Sequence, residues 1–358
     1  MTARRSLSPA SIVWLVITLA LIAIGLVQGL GLFPGRPVEG VARTWPAFDA
    51  QGHRGARGLY PENTWPAFAA ALAIGVTTLE MDVGLSRDGV PVVHHDRRLD
   101  PARTRNPDGT WVEPPTPALH DLTVAQLAAY DVGRARPGSR LARRFPDQIP
   151  VDGTPVPTLA EVLRRAEAMS GGTIRYNIEI KTAPDAPDET ATPEAIADAL
   201  LAVVTRAGVG ARTTIQSFDW RSLKRVQALA PETPTVYLSA ERSWLDNLQR
   251  GRPGPSPWTA GLDIDDVDGS VARLIRRAGG AVWSPYYRDL RPADIAEAHR
   301  LGLRVVVWTV NDAADMAALI DSGVDGIITD YPDRLRRVMA EKGLPLPPAF
   351  APSAPLHE

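Results

Sequence analysis

Short apolar runs rich in β-branched residues alternate along the chain with longer segments whose apolar positions recur at helical spacing, such as residues 64–75, 292–302 and 313–323. Eight runs of the short kind occur: FDAQGH (48–53), TTLEMDV (77–83), YNIEIK (176–181), TTIQSF (213–218), TVYLSA (235–240), AVWSPY (281–286), RVVVWTV (304–310) and DGIITD (325–330). Strands that alternate with helices indicate an α/β fold, and eight such repeats are typical of a (β/α)8 TIM barrel. We therefore predict a barrel over residues 47–341.

A ninth run, PVVHHD at residues 91–96, follows the second run after only the segment LSRDGV. A parallel crossover needs about a dozen residues, so we expect this run to fold back as an antiparallel arm over the barrel mouth. Residues 97–157 then form an insertion without clear strands that contains five clustered arginines: Arg134, Arg136, Arg140, Arg143 and Arg144. Such an insertion is either a lid or specificity element, or a solvated loop packed on the rim.

The two ends of the chain lie outside the barrel pattern. Residues 11–33 are uncharged and mostly apolar, and about 20 such residues suffice to span a bilayer, so we predict a single-pass membrane anchor within residues 1–33. A cleaved signal peptide is the alternative, but its apolar region is usually about 7 to 15 residues long, and no A-x-A-like site follows here. We further predict a linker at 34–46, an unstructured Pro-rich tail at 342–358, and a barrel on the extracytoplasmic side.

Composition narrows the possible chemistry. The net charge is −2 over 358 residues, which offers no basic surface for nucleic acid, and we expect no such partner. The chain contains no cysteine. This excludes disulfides, thiolate nucleophiles and thiolate metal sites, and leaves histidine and carboxylate groups as the main metal ligands.

Acidic residues end two neighbouring runs, at the strand ends where barrel active sites lie. Strand alternation places Glu80 and Asp82 on one side of the second run, and Glu179 and Lys181 on one side of the third. Three unpaired carboxylates at this density would repel one another, and a bound divalent cation would relieve the repulsion. Oxygen ligands favour Mg²⁺ or Ca²⁺ over zinc. The alternative is a set of ion pairs with Lys181 and Arg54 inside the barrel.

Histidines end the first run and the arm. His53 closes the first run, and His94 and His95 close the arm. Imidazole is the side chain most often poised near neutral pH, so we predict His53 and His95 as the groups that transfer protons beside the metal. Only one of two adjacent residues in an extended arm can face the mouth, and we favour His95 because it precedes Asp96 at the arm's end.

Together these residues carry a family resemblance. The ordered set HRG, PENT, LEMDVGLSRDGVPVVHHDRRLD, LHDLTVAQLAAYD, VPTLAEVL, NIEIK, QSF, VWTVN and GIITDYPD resembles the glycerophosphodiester phosphodiesterase family over residues 50–338. The resemblance implies a barrel of the phosphatidylinositol phospholipase C type. The site residues that it implies are the metal ligands Glu80, Asp82 and Glu179, the catalytic His53 and His95, the substrate-binding Arg54, Lys181 and Trp308, and Glu62 in the shell around them. The arginine-rich stretch 134–144 does not match the family pattern.

The activity that this resemblance implies is metal-dependent hydrolysis of glycerophosphodiesters to glycerol 3-phosphate and an alcohol. In the loop at 52–64, we expect Gly55 and Gly58 to let the backbone approach a ligand, and Arg54 to donate to phosphate oxygens. Glu62 has the alternative role of favouring a helix N-terminus.

Other functions compete with this one. A lipid phosphodiesterase of the lysophospholipase D or sphingomyelinase D kind is the alternative within the same chemistry. A non-catalytic barrel is disfavoured because none of the charged or histidine positions is missing. A zinc amidohydrolase is disfavoured because His53-Arg54-Gly55 replaces the His-x-His expected on its first strand.

Overall fold

The computed structural model describes residues 45–351, whose central element is a closed barrel of eight parallel strands. The strands of this region are β1 (Asp49–Gly52), β2 (Thr78–Leu85), β3 (Pro91–Val93), β4 (Arg175–Ile180), β5 (Thr213–Ser217), β6 (Thr235–Ser239), β7 (Glu241–Arg242), β8 (Leu245–Asp246), β9 (Val282–Pro285), β10 (Arg304–Val307) and β11 (Gly326–Thr329). The barrel order is β1-β2-β4-β5-β6-β9-β10-β11, and β11 pairs with β1 to close it. Each predicted run is a barrel strand, so the α/β TIM barrel is confirmed.

Helices connect successive barrel strands. Those of the described region are α1 (Trp65–Ile74), α2 (Val124–Leu127), α3 (Arg140–Arg144), α4 (Leu159–Ser170), α5 (Pro193–Arg206), α6 (Trp220–Leu229), α7 (Val271–Ala278), α8 (Pro292–Arg300), α9 (Ala313–Asp321) and α10 (Pro332–Glu341). Local signals set their ends. For example, the Thr158 hydroxyl accepts from the backbone N–H of Glu161 at the start of α4, and Gly171, with φ of 60°, ends that helix.

Alternation along β2 separates the core from the barrel interior. Leu79, Met81 and Val83 are buried in the main apolar core together with helix residues, whereas Glu80 and Asp82 point to the other side of the strand. The interior next to these acids is polar. Asn177 donates to the side chains of Gln51 and Gln216, both at 2.9 Å.

The opposite half of the interior is apolar. Val236, Val282, Val306 and Ile328 form a separate buried cluster there. The polar half of the interior is built from β1, β2, β4 and β5. The charged groups at the ends of these strands therefore lie next to hydrogen-bonding side chains and not next to apolar ones.

The arm and the insertion follow β2. β3 pairs antiparallel with β2, with Val93 opposite Val83, as the short connection predicted. The insertion between β3 and α4 has its own apolar cluster, which consists of Val92, Leu99, Val112, Leu119, Leu127, Val132 and Val156. It is therefore a packed subdomain and not a solvated loop.

Two arginines of the insertion form local ion pairs. Arg134 Nε lies 2.6 Å from Asp152, and Arg136 Nη1 lies 2.8 Å from Glu113. Partly exposed pairs of this kind contribute about 0–1 kcal/mol each, so they organise the insertion without dominating its stability.

The ends of the described chain extend the barrel. The guanidinium groups of Arg175 and Arg304 lie 5.6 and 5.4 Å from the ring centroid of Trp45, so Trp45 belongs to the barrel and not to a linker. The prediction of an unstructured tail is wrong for residues 344–350. They have no helix or strand, but Leu344 and Phe350 pack on the core, and the Phe350 N–H donates to the Leu72 carbonyl at 2.9 Å.

The predicted membrane anchor at residues 11–33 lies outside the described residues, as do residues 352–358. Within residues 45–351, no helix has the length and apolar character needed to cross a bilayer.

Candidate active site

Three acidic side chains meet at the C-terminal end of the barrel. Glu80 and Asp82 lie on β2 and Glu179 on β4, and the pairing register places Asp82 opposite Glu179. One carboxylate oxygen from each lies within 4.8 Å of the others, and all three residues are buried. The two strands thus bring together the acids that the sequence suggested, in a site with only oxygen ligands.

Neighbouring groups hold Glu80 and Glu179. Gln216 Nε2 and the backbone N–H of Arg54 each donate to Glu80 at 2.8 Å, and Lys181 Nζ donates to Glu179 at 2.8 Å. Burial raises the pKa of Glu80 well above its usual value, and the nearby acids add to the effect. Burial also raises the pKa of Glu179, to about 7, although Lys181 opposes this. Without a cation, this pair resists carrying two negative charges.

Asp82 behaves differently. Burial disfavours its charged form, but the charges of Arg54 and Lys181 and the hydrogen bond from Asn63 outweigh burial and lower its pKa well below the usual value. Asn63 Nδ2 donates to Oδ2 at 2.8 Å. The other oxygen, Oδ1, is buried without a hydrogen bond, and Lys181 Nζ lies 3.6 Å away. An ionised, buried and unsatisfied oxygen is the kind of group that a metal ion would complete.

His53 is held by an aspartate at the end of the last strand. Its Nδ1 lies 2.6 Å from Asp330 Oδ1, and its Nε2 lies 4.0 Å from Glu80 Oε2. Burial raises the pKa of Asp330, but the charge of Arg57 and the hydrogen bonds from His53 and Arg57 outweigh it and lower that pKa well below the usual value. An ionised carboxylate only accepts hydrogen bonds, so Nδ1 carries the hydrogen and Nε2 is left with its lone pair toward the acids. Burial and the charges of Arg57 and Arg54 lower the pKa of His53 to about 4.

His95 has a similar arrangement on the arm. Its Nδ1 lies 2.8 Å from Asp96 Oδ1, and 29% of its side chain is exposed. Burial, followed by the charges of Arg54 and Lys181, lowers the pKa of His95 to about 4. His94 is buried, and its backbone N–H donates to the Asp82 carbonyl, so the backbone of the arm is fixed against β2.

Glu62 is a buried ion-pair partner and does not lie in a helix. Its Oε1 accepts from Arg54 Nη1 at 2.6 Å and contacts Arg103 Nη1, and its Oε2 lies 3.6 Å from Arg57 Nη1. Burial opposes ionisation of Glu62, but the charges of Arg103, Arg54 and Arg57 outweigh it and lower its pKa strongly. Arg54 Nε also lies 3.1 Å from Asp82 Oδ2, off the angle for a hydrogen bond. Arg54 thus links Glu62 to the acid cluster.

Comparisons with known proteins identify the family of this chain. A model of the glycerophosphoryl diester phosphodiesterase family matches residues 53–334. The chain belongs to this family. The glycerophosphodiester phosphodiesterase of Bacillus subtilis (strain 168) is 31% identical over 290 residues, which cover 80% of this chain and 84% of the relative.

Solved structures extend the likeness. A crystal structure from Silicibacter pomeroyi, named for the same family, has 38% identity and a TM-score of 0.73, and the match covers 84% of this chain and 96% of that one. A phosphodiesterase from Oleispira antarctica, solved with the product sn-glycerol-3-phosphate, has 22% identity and a TM-score of 0.59 over 82% of this chain and 96% of its own. At that identity the second likeness shows the fold alone.

Sequence reasoning missed several residues of this phosphodiesterase-family site. Asp330 directly follows β11 in GIITDYPD, so the rule that led from strand ends to Glu80 would also have found it. Arg57 Nε and Nη2 donate to Asp330 at 2.7 and 3.0 Å, and Asn311 Nδ2 donates at 2.7 Å. Arg57 lies in the first loop and Asn311 ends the motif VWTVN, but the strand-end rule assigned a role to neither, because both lie in loops.

Two glycines of the first loop lie against neighbouring protein atoms. Gly55 has φ of 86°, and a Cβ there would lie 2.5 Å from the backbone carbon of Ala67 in α1. A Cβ on Gly58 would lie 2.4 Å from the ring of Tyr331. These glycines therefore permit close packing of the loop on α1 and on Tyr331.

Trp308 lies in an aromatic group at the C-terminal ends of the barrel strands. It follows β10, and its ring centroid lies 5.3 Å from that of Phe218 and 5.5 Å from that of Tyr286. Lys181 Nζ lies 6.0 Å from the Phe218 ring centroid. Lys181 therefore lies between the acidic cluster and the aromatic group.

Proposed function

We propose that this chain hydrolyses glycerophosphodiesters to glycerol 3-phosphate and an alcohol with one divalent cation, Mg²⁺ or Ca²⁺. The observation that carries the proposal is the convergence of Glu80, Asp82 and Glu179 next to two histidines that each have a carboxylate on Nδ1. The name of the Bacillus subtilis relative supports the substrate class.

The residues present suit a hard cation. The three acids would hold it, and the buried, unpaired Oδ1 of Asp82 supports this assignment. The ion would neutralise negative charge on the phosphodiester oxygens. Lys181 and Arg54 would add positive charge at the same place, because their ammonium and guanidinium groups already lie against the acids.

Proton transfer falls to His53 and His95. With their low pKa values both are neutral near pH 7, and each offers Nε2 to the substrate because Nδ1 is engaged with Asp330 or Asp96. One neutral imidazole takes the proton of the attacking hydroxyl, while the other, which first takes up a proton from solvent, donates it to the departing alcohol, and the proton that was abstracted returns to solvent. If the attacking hydroxyl belongs to the glycerol moiety, water then completes the hydrolysis to glycerol 3-phosphate. Trp308 would pack against the carbon face of the glycerol.

Activity assays test the proposal. Purified protein should release glycerol 3-phosphate from glycerophosphocholine, and a chelator should abolish this until Mg²⁺ or Ca²⁺ is restored. His53→Ala should lose turnover while keeping its melting temperature, whereas His299→Ala, which alters a histidine paired with Asp325 outside this site, should retain it. Cleavage of a lysophospholipid in preference to glycerophosphocholine would favour the lipid alternative. Full turnover by His53→Ala would refute the assigned chemistry.

We also propose that residues 11–33 anchor the protein as a single-pass membrane segment, with the barrel outside the cytoplasm. The uncharged apolar stretch supports this. Carbonate extraction of membranes and protease digestion of intact cells test it. Release of the full-length chain by carbonate, or protection of the barrel from external protease, would contradict it.

A further inference from the structure

The last part of the insertion is docked on the loop that follows His53. The backbone N–H of Ile149 donates to the Leu59 carbonyl at 2.8 Å. Gln148 Nε2 donates to the carbonyls of Arg57 and Tyr60 at 2.8 and 3.1 Å. These three bonds join residues about 90 positions apart in sequence, so residues 145–149 hold the backbone of the loop from outside the barrel.

Phe145 contacts the same loop through a side chain. Its ring is buried, with 3% of the residue exposed, and the guanidinium carbon of Arg57 lies 4.9 Å from the ring centroid. A guanidinium at this distance from an aromatic face is attracted by the ring, and the attraction strengthens when water is excluded. The nitrogens of the same guanidinium donate to Asp330, which in turn holds His53 Nδ1. Phe145 is thus connected to His53 through two residues.

Arg57 has a competing partner. Glu62 Oε2 lacks a hydrogen bond and lies 3.6 Å from Arg57 Nη1. A guanidinium that turned toward Glu62 would give up its bonds to Asp330, and Asp330 would then hold His53 less rigidly. The ring of Phe145 and the amide of Gln148 oppose this turn, because they constrain the side chain and the backbone of Arg57.

We propose that Phe145 and Gln148 are positioning residues for the reaction, which act through Arg57 and Asp330 on the orientation of His53. The arginine-rich insertion therefore restrains the first active-site loop, residues 52–64, through these contacts. This inference rests on the proposed function for its kinetic test, but its structural test does not require activity.

The kinetic test compares Phe145→Leu with a matched control in the same insertion. Phe145→Leu should lower kcat on glycerophosphocholine about three- to thirtyfold, the range that cation–π contacts span from exposed to desolvated sites, with less than about a twofold change in KM. Val112→Ala removes buried volume from the separate apolar cluster of the insertion and should leave kcat within about twofold. Phe145→Tyr keeps the aromatic ring and should retain most of the wild-type kcat.

A double-mutant cycle distinguishes positioning from general loss of packing. In an Arg57→Ala background, Phe145→Leu should have almost no further effect on kcat, because the path through Arg57 is already broken. Gln148→Ala should weaken activity in the wild-type background in the same manner. Fully additive effects of Phe145→Leu and Arg57→Ala would overturn the inference.

Hydrogen exchange provides the readout that is independent of activity. Phe145→Leu should speed exchange of the backbone amides of residues 57–60, including the Gly58 N–H that donates to the Asp330 carbonyl, whereas Val112→Ala should not. If the wild-type protein is inactive, the proposed function fails. The exchange measurement still tests whether Phe145 restrains the loop. Unchanged exchange at residues 57–60 in a folded Phe145→Leu variant would overturn it.

Discussion

Replacement of Asp330 by asparagine is the most informative single change in this molecule. Asp330 is fully buried and accepts hydrogen bonds from His53, Arg57 and Asn311. Asparagine has nearly the same shape, but it has no charge and offers an N–H₂ group where the aspartate offers an oxygen. The substitution therefore tests electrostatics and orientation while it leaves the packing almost unchanged.

The expected losses can be worked out from these contacts. Burial lowers the pKa of His53 to about 4, and the Asp330 carboxylate opposes this decrease. Without the carboxylate the pKa of His53 should fall below about 4, and the imidazole becomes a weaker base. Loss of the fixed tautomer and of general acid–base catalysis should lower kcat by about 10²- to 10⁴-fold. Arg57 also loses its closest partner, and a broken buried ion pair costs about 3–5 kcal/mol. For a domain of about 300 residues the melting temperature should fall by on the order of 5–8 °C.

The assay is release of glycerol 3-phosphate at a temperature well below both melting transitions. The control is Asp325→Asn, which alters an aspartate at the start of the same strand that also pairs with a histidine, His299, at 2.8 Å. This control should keep kcat within about twofold, because neither residue touches the acids. A folded Asp330→Asn enzyme with more than half of the wild-type kcat would refute the orientation argument for His53.

Three further predictions concern the metal, the ion pairs and the loop. Binding of Mg²⁺ or Ca²⁺ should release more protons below about pH 7 than above it, because Glu80 and Glu179 have raised pKa values and must lose protons to bind; calorimetry in buffers of different ionisation enthalpy measures this, and release that is constant with pH would contradict it. Glu62→Gln should lower the free energy of unfolding by about 3–5 kcal/mol in urea titrations, since it leaves buried arginine charge uncompensated; a loss below about 1 kcal/mol would contradict the ion-pair role. Gly58→Ala should lower both stability and kcat because its methyl group would meet the Tyr331 ring, and an unchanged melting curve would show that the ring moves aside at no cost.

Much of the barrel and part of the site are encoded locally. Each strand is recognisable as a short apolar run. Side-chain alternation places Glu80 and Asp82 on one side of β2, and Glu179 and Lys181 on one side of β4, without knowledge of the rest of the chain. The antiparallel arm follows from the shortness of one connection. These features depend on residues within a few positions of each other, so a linear pattern suffices to predict them.

Other features depend on contacts between distant parts of the chain. His53 and Asp330 are 277 positions apart and meet because β11 pairs with β1, which sets Gly52 beside Thr329. Contacts of Phe145 and Phe350 with the barrel likewise have no counterpart in local spacing. A pattern of apolar and polar residues specifies which face of an element is buried, but not which distant element will cover it. That choice follows from closure of the barrel and from the shape of the packed surfaces.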